Sequence, residues 1–251
     1  MTLRALKQIT RLKVSRNVAA VSSGIRCIHA TIPPSIDEVQ GLIDTFKSGK
    51  SPSMEFLRNI LNQSRKQHEI LPNVIRVSIP TSSTITEKTT TTGTESNSET
   101  KAEGNNSESL KSRGPPGGLV VVGDTHGQFI DLMGVIFSDE VAGFPSTDNV
   151  FIFNGDFVDR GENSLGLIVT LLAIKLALPN AIHLVRGNHE SVQMNTQFGF
   201  TMELQTKFPD DFVELFSLFT EIFNTLPLAA VIENAVFVVH GGIGQGIPTL
   251  P

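Results

Sequence analysis

Aspartate, histidine and asparagine gather on four short glycine turns of this sequence, and each turn follows a run of strand-forming residues. Asn149–Asn154 leads into Gly155-Asp156-Phe157-Val158-Asp159-Arg160-Gly161, with two carboxylates and a guanidinium in five positions. Leu119–Val122 leads into Gly123-Asp124-Thr125-His126-Gly127, and Ala181–Val185 into Gly187-Asn188-His189-Glu190. The fourth turn, His240-Gly241-Gly242, follows Ala235–Val239. A single Asp-Gly or Gly-Asn turn is ordinary structure, but four ligand-rich turns in register imply one shared centre.

Carboxylate, imidazole and amide oxygen without thiolate suit Fe, Mn or Zn in a reactive site. Asp124 and His126, two apart on one turn, can face a common ion, and Asp156, Asn188 and His240 arrive from the other turns. An aspartate shared by two ions holds them about 3.5 to 4 Å apart, the spacing used for displacement at phosphorus by a metal-activated water. Arg160 offers the planar fork that grips phosphate oxygens. His189 is placed to protonate a leaving alkoxide, with Asp159 to orient its ring; Asp159 and Arg160 as a local ion pair is the plainer alternative. Glu190 reads as structural, His183 as core or edge, and the phenylalanines at 198, 200, 208, 212, 216, 219 and 223 as packing.

Composition narrows the partners. Six of the 20 basic residues fall in residues 1–36, which contain no acid, so the rest sets 14 bases against all 25 acids. A body this acidic lacks the basic face that nucleic acid requires. No apolar run reaches the roughly 18 to 20 residues that span a bilayer, which argues against a membrane partner. Cys27 is the only cysteine, which excludes a disulfide framework.

The elements that must carry the turns are legible from periodicity. Residues 1–34, Arg-rich and acid-free, with Leu3, Leu6 and Ile9 or Thr10 opposite Arg4, Lys7 and Arg11 on a helical projection, are expected to be a targeting or disordered segment. A mitochondrial presequence fits that composition, with a cytoplasmic or nuclear location as the alternative. Residues 35–80 form a helical lead-in and a first strand: Ser35-Ile36-Asp37-Glu38 as a capping box, Val39, Leu42, Ile43 and Phe46 as one buried stripe, then Pro52 opening a helix that buries Phe56, Leu57, Ile60 and Leu61. His68, near that helix's end, is expected to be solvated or facing the helix dipole. Residues 74–79 alternate as a strand. Residues 81–117, rich in Ser, Thr, Glu and Asn, are expected to be disordered, an elaborated hairpin tip joining strands 74–79 and 119–122. Beyond them strands alternate with helices near 129–137, 164–178, 192–207 and 210–224, the pattern of an α/β fold, in which ligands gather at the carboxyl ends of the strands.

GDTHGQ at 123–128, GDFVDRG at 155–161 and RGNHE at 186–190, with FNTLPLAAVI at 223–232 and VVHGGI at 238–243, resemble the signatures of the phosphoprotein phosphatases, metal-dependent enzymes acting on phosphoserine and phosphothreonine. FIFNGDFVDRG, and MNTQFGF after RGNHE, are most similar to the type 5 branch. The resemblance implies a calcineurin-like metallophosphoesterase β-sandwich flanked by helices, with residues 118–251 as the N-terminal part of the catalytic domain. It implies two metal ions, Mn or Fe/Zn, one held by Asp124, His126 and Asp156 and the other by Asp156, Asn188 and His240. It also implies His189 with Asp159 as the acid pair, Arg160 as a phosphate ligand, and phosphoproteins as substrates; it names no regulatory partner. In this family a further histidine ligand, a second arginine, an active-site tyrosine and a second sheet are expected beyond Pro251, and the sequence contains no tyrosine. A truncated phosphatase-like protein that binds metal or phosphoprotein without turnover, and a small-molecule phosphoesterase, are the competing readings.

Overall fold

The structure, a computed structural model, describes residues 9–12, 32–80 and 118–244. The expectation for 81–117 lies outside the described residues, as do those for most of 1–34 and for 245–251.

Two sheets face each other. The first has the order β1 (Ile9–Leu12), β3 (Gly118–Val122), β4 (Asn149–Asn154), β5 (Ile182–Val185), and the second the order β2 (Val74–Val77), β6 (Ala229–Ile232), β7 (Val236–Val239). β3, β4 and β5 run parallel, with Val122 beside Phe153 and Asn154 beside Val185, so their carboxyl ends open on one edge. Strand alternation divides the core. Val120, Val122, Phe151, Phe153, Ile182 and Leu184 point to the helices, whereas Leu119, Val150, Ile152 and Val185 meet Ile75, Val77, Ala230, Ile232 and Val238 between the sheets. Covering both faces is what a parallel sheet requires, and it explains why these strands read as continuous apolar runs.

On the helical side lie α1 (Ile36–Lys47), α2 (Met54–Glu69), α4 (Ser164–Ala177), α6 (Phe200–Lys207) and α7 (Phe212–Thr225). The Ser35–Glu38 capping box forms as expected. α4 is buried all round, from Ser164 to Leu176, as a helix apolar on every face must be.

Several expectations are corrected. Strands 74–79 and 119–122 do not form a hairpin: β2 pairs parallel with β6 and β3 belongs to the other sheet. A second sheet does not wait on residues beyond Pro251, because β2, β6 and β7 already build one. Ile9 and Arg11, which a helical projection sets on opposite faces, lie instead in β1, which pairs antiparallel with β3. The second helix starts at Met54 with Ser53 as its cap, not at Pro52. The segment 129–137 is a short α3 (Phe129–Asp131) running into a π-helix, Leu132–Ile136. The stretch 192–207 is two helices, α5 (Val192–Phe198) and α6, separated by Gly199 at φ 119°. His68 is buried, not solvated: its Nδ1 bonds the Ser64 carbonyl at 2.8 Å, and burial pushes its pKa down to about 4.

Candidate active site

The four turns meet, three from the first sheet and the fourth from antiparallel β7 of the second. Asp156 joins them. Its carbonyl accepts the N–H groups of Thr125 and His126 at 3.0 and 2.9 Å, which fixes the first turn. Its own N–H donates to Glu190 Oε2, and its Oδ1 accepts the His189 N–H at 2.9 Å. Oδ2 is left facing His126 Nε2 at 3.6 Å and His240 Nε2 at 3.4 Å.

Glu190, structural by its sequence context, fastens the second turn to the third. It is fully buried and accepts from the N–H groups of Asp156, Phe157 and Gly187, each at 2.8 Å. Burial pushes its pKa up to about 7 against the pull of those three donors. The turns cross where Gly155 and Gly187 touch: a Cβ on Gly155 would lie 2.4 Å from Gly187 N. Only a residue without a side chain allows that approach.

Hydrogen bonds fix where the imidazole lone pairs point. His126 Nδ1 donates to the Val158 carbonyl at 2.9 Å, and His240 Nδ1 to the Asn154 carbonyl at 2.7 Å. Both Nε2 atoms therefore present lone pairs. His240 Nε2 faces Asn188 Oδ1 at 3.0 Å, and Asp124 Oδ2 stands 4.0 Å from His126 Nε2. Converging oxygens and lone-pair nitrogens lack a proton to share and are matched by cations, so this donor set fits divalent metals. Asp124, Asp156 and His240 bring ligand atoms within 4.8 Å of one another, as do His126, Asp156 and His189, and Asp156 is common to both groups.

His189 is otherwise engaged. Its Nδ1 donates to Asp159 Oδ2 at 2.8 Å, with both side chains fully buried, and its Nε2 accepts from Arg160 Nη2 at 3.0 Å. The ion-pair alternative does not hold among the described residues: Asp159 pairs with His189, and Arg160 reaches outward, exposed. His126, Asp156, Asp159 and Arg160 all adopt positive φ, from 40° to 69°. Such backbone costs about 1 to 3 kcal/mol per non-glycine residue and concentrates at functional sites.

Two residues passed over in the sequence belong here. Asn195 is buried and donates to Asp159 Oδ2 at 3.1 Å and to the His189 carbonyl at 2.7 Å. Phe198, expected to be packing, is 40% exposed with its ring 5.2 Å from that of His189. Neither stands out by spacing; only a charge-bearing turn folded back onto them reveals them.

The fold and the site are those of a metal-dependent phosphoesterase, and residues 118–249 match the calcineurin-like phosphoesterase family, to which this chain belongs. It is similar to serine/threonine-protein phosphatase 5 of Solanum lycopersicum, 39% identical over 83% of this chain and 30% of the relative. The human protein of the same name is 46% identical over 50% of this chain and 24% of its own length. A solved protein serine/threonine phosphatase of Saccharomyces cerevisiae superposes with a TM-score of 0.64 at 28% identity, over 84% of this chain and 55% of that one. This chain thus spans less than a third of the curated relatives it matches.

Proposed function

We propose that this chain carries the metal and phosphate site of a protein phosphatase that hydrolyses phosphoserine and phosphothreonine. The observation that carries the reading is the convergence on Asp156 Oδ2 of two imidazole lone pairs held by backbone carbonyls. Asp124, His126 and Asp156 would hold one ion, and Asp156, Asn188 and His240 the other, Mn or Fe/Zn by donor chemistry. Two such ions supply polarisation of the phosphoryl group and acidification of a water. The chain's own residues do the rest. Arg160, exposed beside this centre, binds and orients the phosphoryl oxygens. His189, its Nδ1 proton held by Asp159, presents Nε2 on the same side as Arg160; with Arg160 turned to the phosphoryl oxygens and Nε2 protonated from solvent, the imidazolium passes that proton to the departing serine or threonine oxygen. The basic, acid-free N-terminal segment supports mitochondrial targeting, which N-terminal sequencing of the organellar protein tests.

The test is phosphate release from a phosphoserine peptide with added Mn²⁺, beside titration of Mn²⁺ into the apo chain. Two bound ions are expected, with turnover falling about 10² to 10⁴-fold in His189→Ala. Metal binding without release above that control would support a non-catalytic binding protein instead. Faster turnover of a dinucleoside polyphosphate than of the peptide would assign a small-molecule phosphoesterase.

A further inference from the structure

We infer that the helix break at Gly199 is the positioning device for Asp159, Arg160 and His189, an inference that rests on the roles proposed above for those three residues. From sequence, 192–207 is one helix. In an unbroken helix the Phe200 N–H would be tied to the Thr196 carbonyl and the Phe198 carbonyl to the Met202 N–H. Gly199 ends α5 and starts α6 instead, so Phe198 and Phe200 stand at helix ends whose backbone groups seek other partners. Both find them on the charged turn. Phe200 N–H donates to Asp159 Oδ1 at 2.9 Å, and the Phe198 carbonyl accepts the Arg160 N–H at 2.9 Å.

The rest of α5 completes the clamp. Asn195 supplies a second donor to Asp159, and His189 Nδ1 a third, so both carboxylate oxygens are occupied. A carboxylate held from three directions keeps the His189 proton on Nδ1 and leaves Nε2 facing Arg160. The Phe198 ring then sits against both functional groups, with the Arg160 guanidinium carbon 5.6 Å from its centroid. Asp159 and Arg160, at φ 69° and 66°, are held in that conformation by bonds that exist only because the helix is interrupted. Asn195, Phe198 and Gly199 are positioning residues; the phosphate is met by Arg160 and His189.

Gly199 gives a direct test because its φ of 119° suits glycine while a Cβ there would meet nothing within 4 Å. Gly199→Ala therefore perturbs backbone geometry alone. Gly49→Ala is the matched control: Gly49 has φ 74°, follows α1, and has equally open space. Both variants of the 251-residue chain are compared with wild type for Mn²⁺-dependent hydrolysis of a phosphoserine peptide, for melting temperature, and for amide hydrogen exchange at Arg160 and Phe200. Gly199→Ala is expected to lower kcat by roughly 10-fold or more, since small misplacements of reacting groups cost up to about 10²-fold. It should also lose protection at both amides, whereas Gly49→Ala loses stability only. Wild-type kcat with both amides still protected in Gly199→Ala overturns the inference. If Gly199→Ala does not fold, Asn195→Ala decides: it must lower kcat and loosen the Phe200 amide, and no change in either refutes the device. A wild-type chain without turnover sinks the catalytic reading but leaves the exchange comparison to judge this one.

Discussion

Acid should unfold this protein through two histidines outside the metal-ligand turns, His68 on α2 and His183 on β5. His68 lies under α4, with Nδ1 on the Ser64 carbonyl and Nε2 buried without a hydrogen-bond partner among the described residues. Burial first, and the neighbouring Lys175 charge after it, hold the ring at about 4, below its ordinary 6.5, although the Ser64 carbonyl pulls the other way. His183 is pushed down to about 3 by the same two causes. The folded rings stay neutral where the unfolded chain takes up protons, so their stabilisation is intact above pH 6.5 and is lost as pH falls towards 4 and 3. At about 1.4 kcal/mol per pH unit, His68 alone withdraws about 3 kcal/mol by pH 4. His183 withdraws an amount of the same order, against a total stability of roughly 5 to 15 kcal/mol. The assay is urea unfolding followed by circular dichroism in EDTA, at about pH 7 and about pH 4.5, for wild type and His68→Leu. Wild type should lose about 2 kcal/mol more than the variant between the two conditions. Equal losses would refute the burial argument for His68.

Other perturbations address the site. Asp156→Asn should reduce bound Mn²⁺ from two ions to at most one, counted by mass spectrometry under native conditions, because both ligand groups share that carboxylate. Glu190→Gln leaves at least one buried N–H of the turns facing an amide donor, and should cost about 1 to 3 kcal/mol in urea unfolding. Gly155→Ala forces the second and third turns apart, so Mn²⁺ affinity should fall at least about 10-fold by calorimetric titration.

The turns were readable in the sequence because their chemistry is written in residue types: Asp124, His126, Asp156, Asn188, His189 and His240 are side chains that metals and protons use. The strands beneath them were readable because both faces are covered, which leaves apolar runs. What sequence could not show was pairing. β2 and β3 each read as a strand, but nothing local says that one joins β6 and the other β4. The break at Gly199 inside the helix expected over 192–207 is not legible locally, because its importance lies in bonds to residues some 40 positions earlier. His68 occupied a place usual for a solvated imidazole, and only the packing of α2 on α4 hides it. Phe198 was one phenylalanine among many until Arg160 came to rest over its ring.

Because β2 and β3 lie in different sheets, everything from Ser35 to Val77 enters the fold as a self-contained cassette: two helices for one layer and a strand for another. Its attachment is by burial of Val39, Ile43, Leu57, Ile60 and Leu61 and by the β2–β6 ladder, so peptide-bond continuity across 81–117 is not what keeps it seated. Severed there, the two pieces should reassemble on mixing, making this calcineurin-like phosphoesterase fold a natural candidate for switching by fragment complementation.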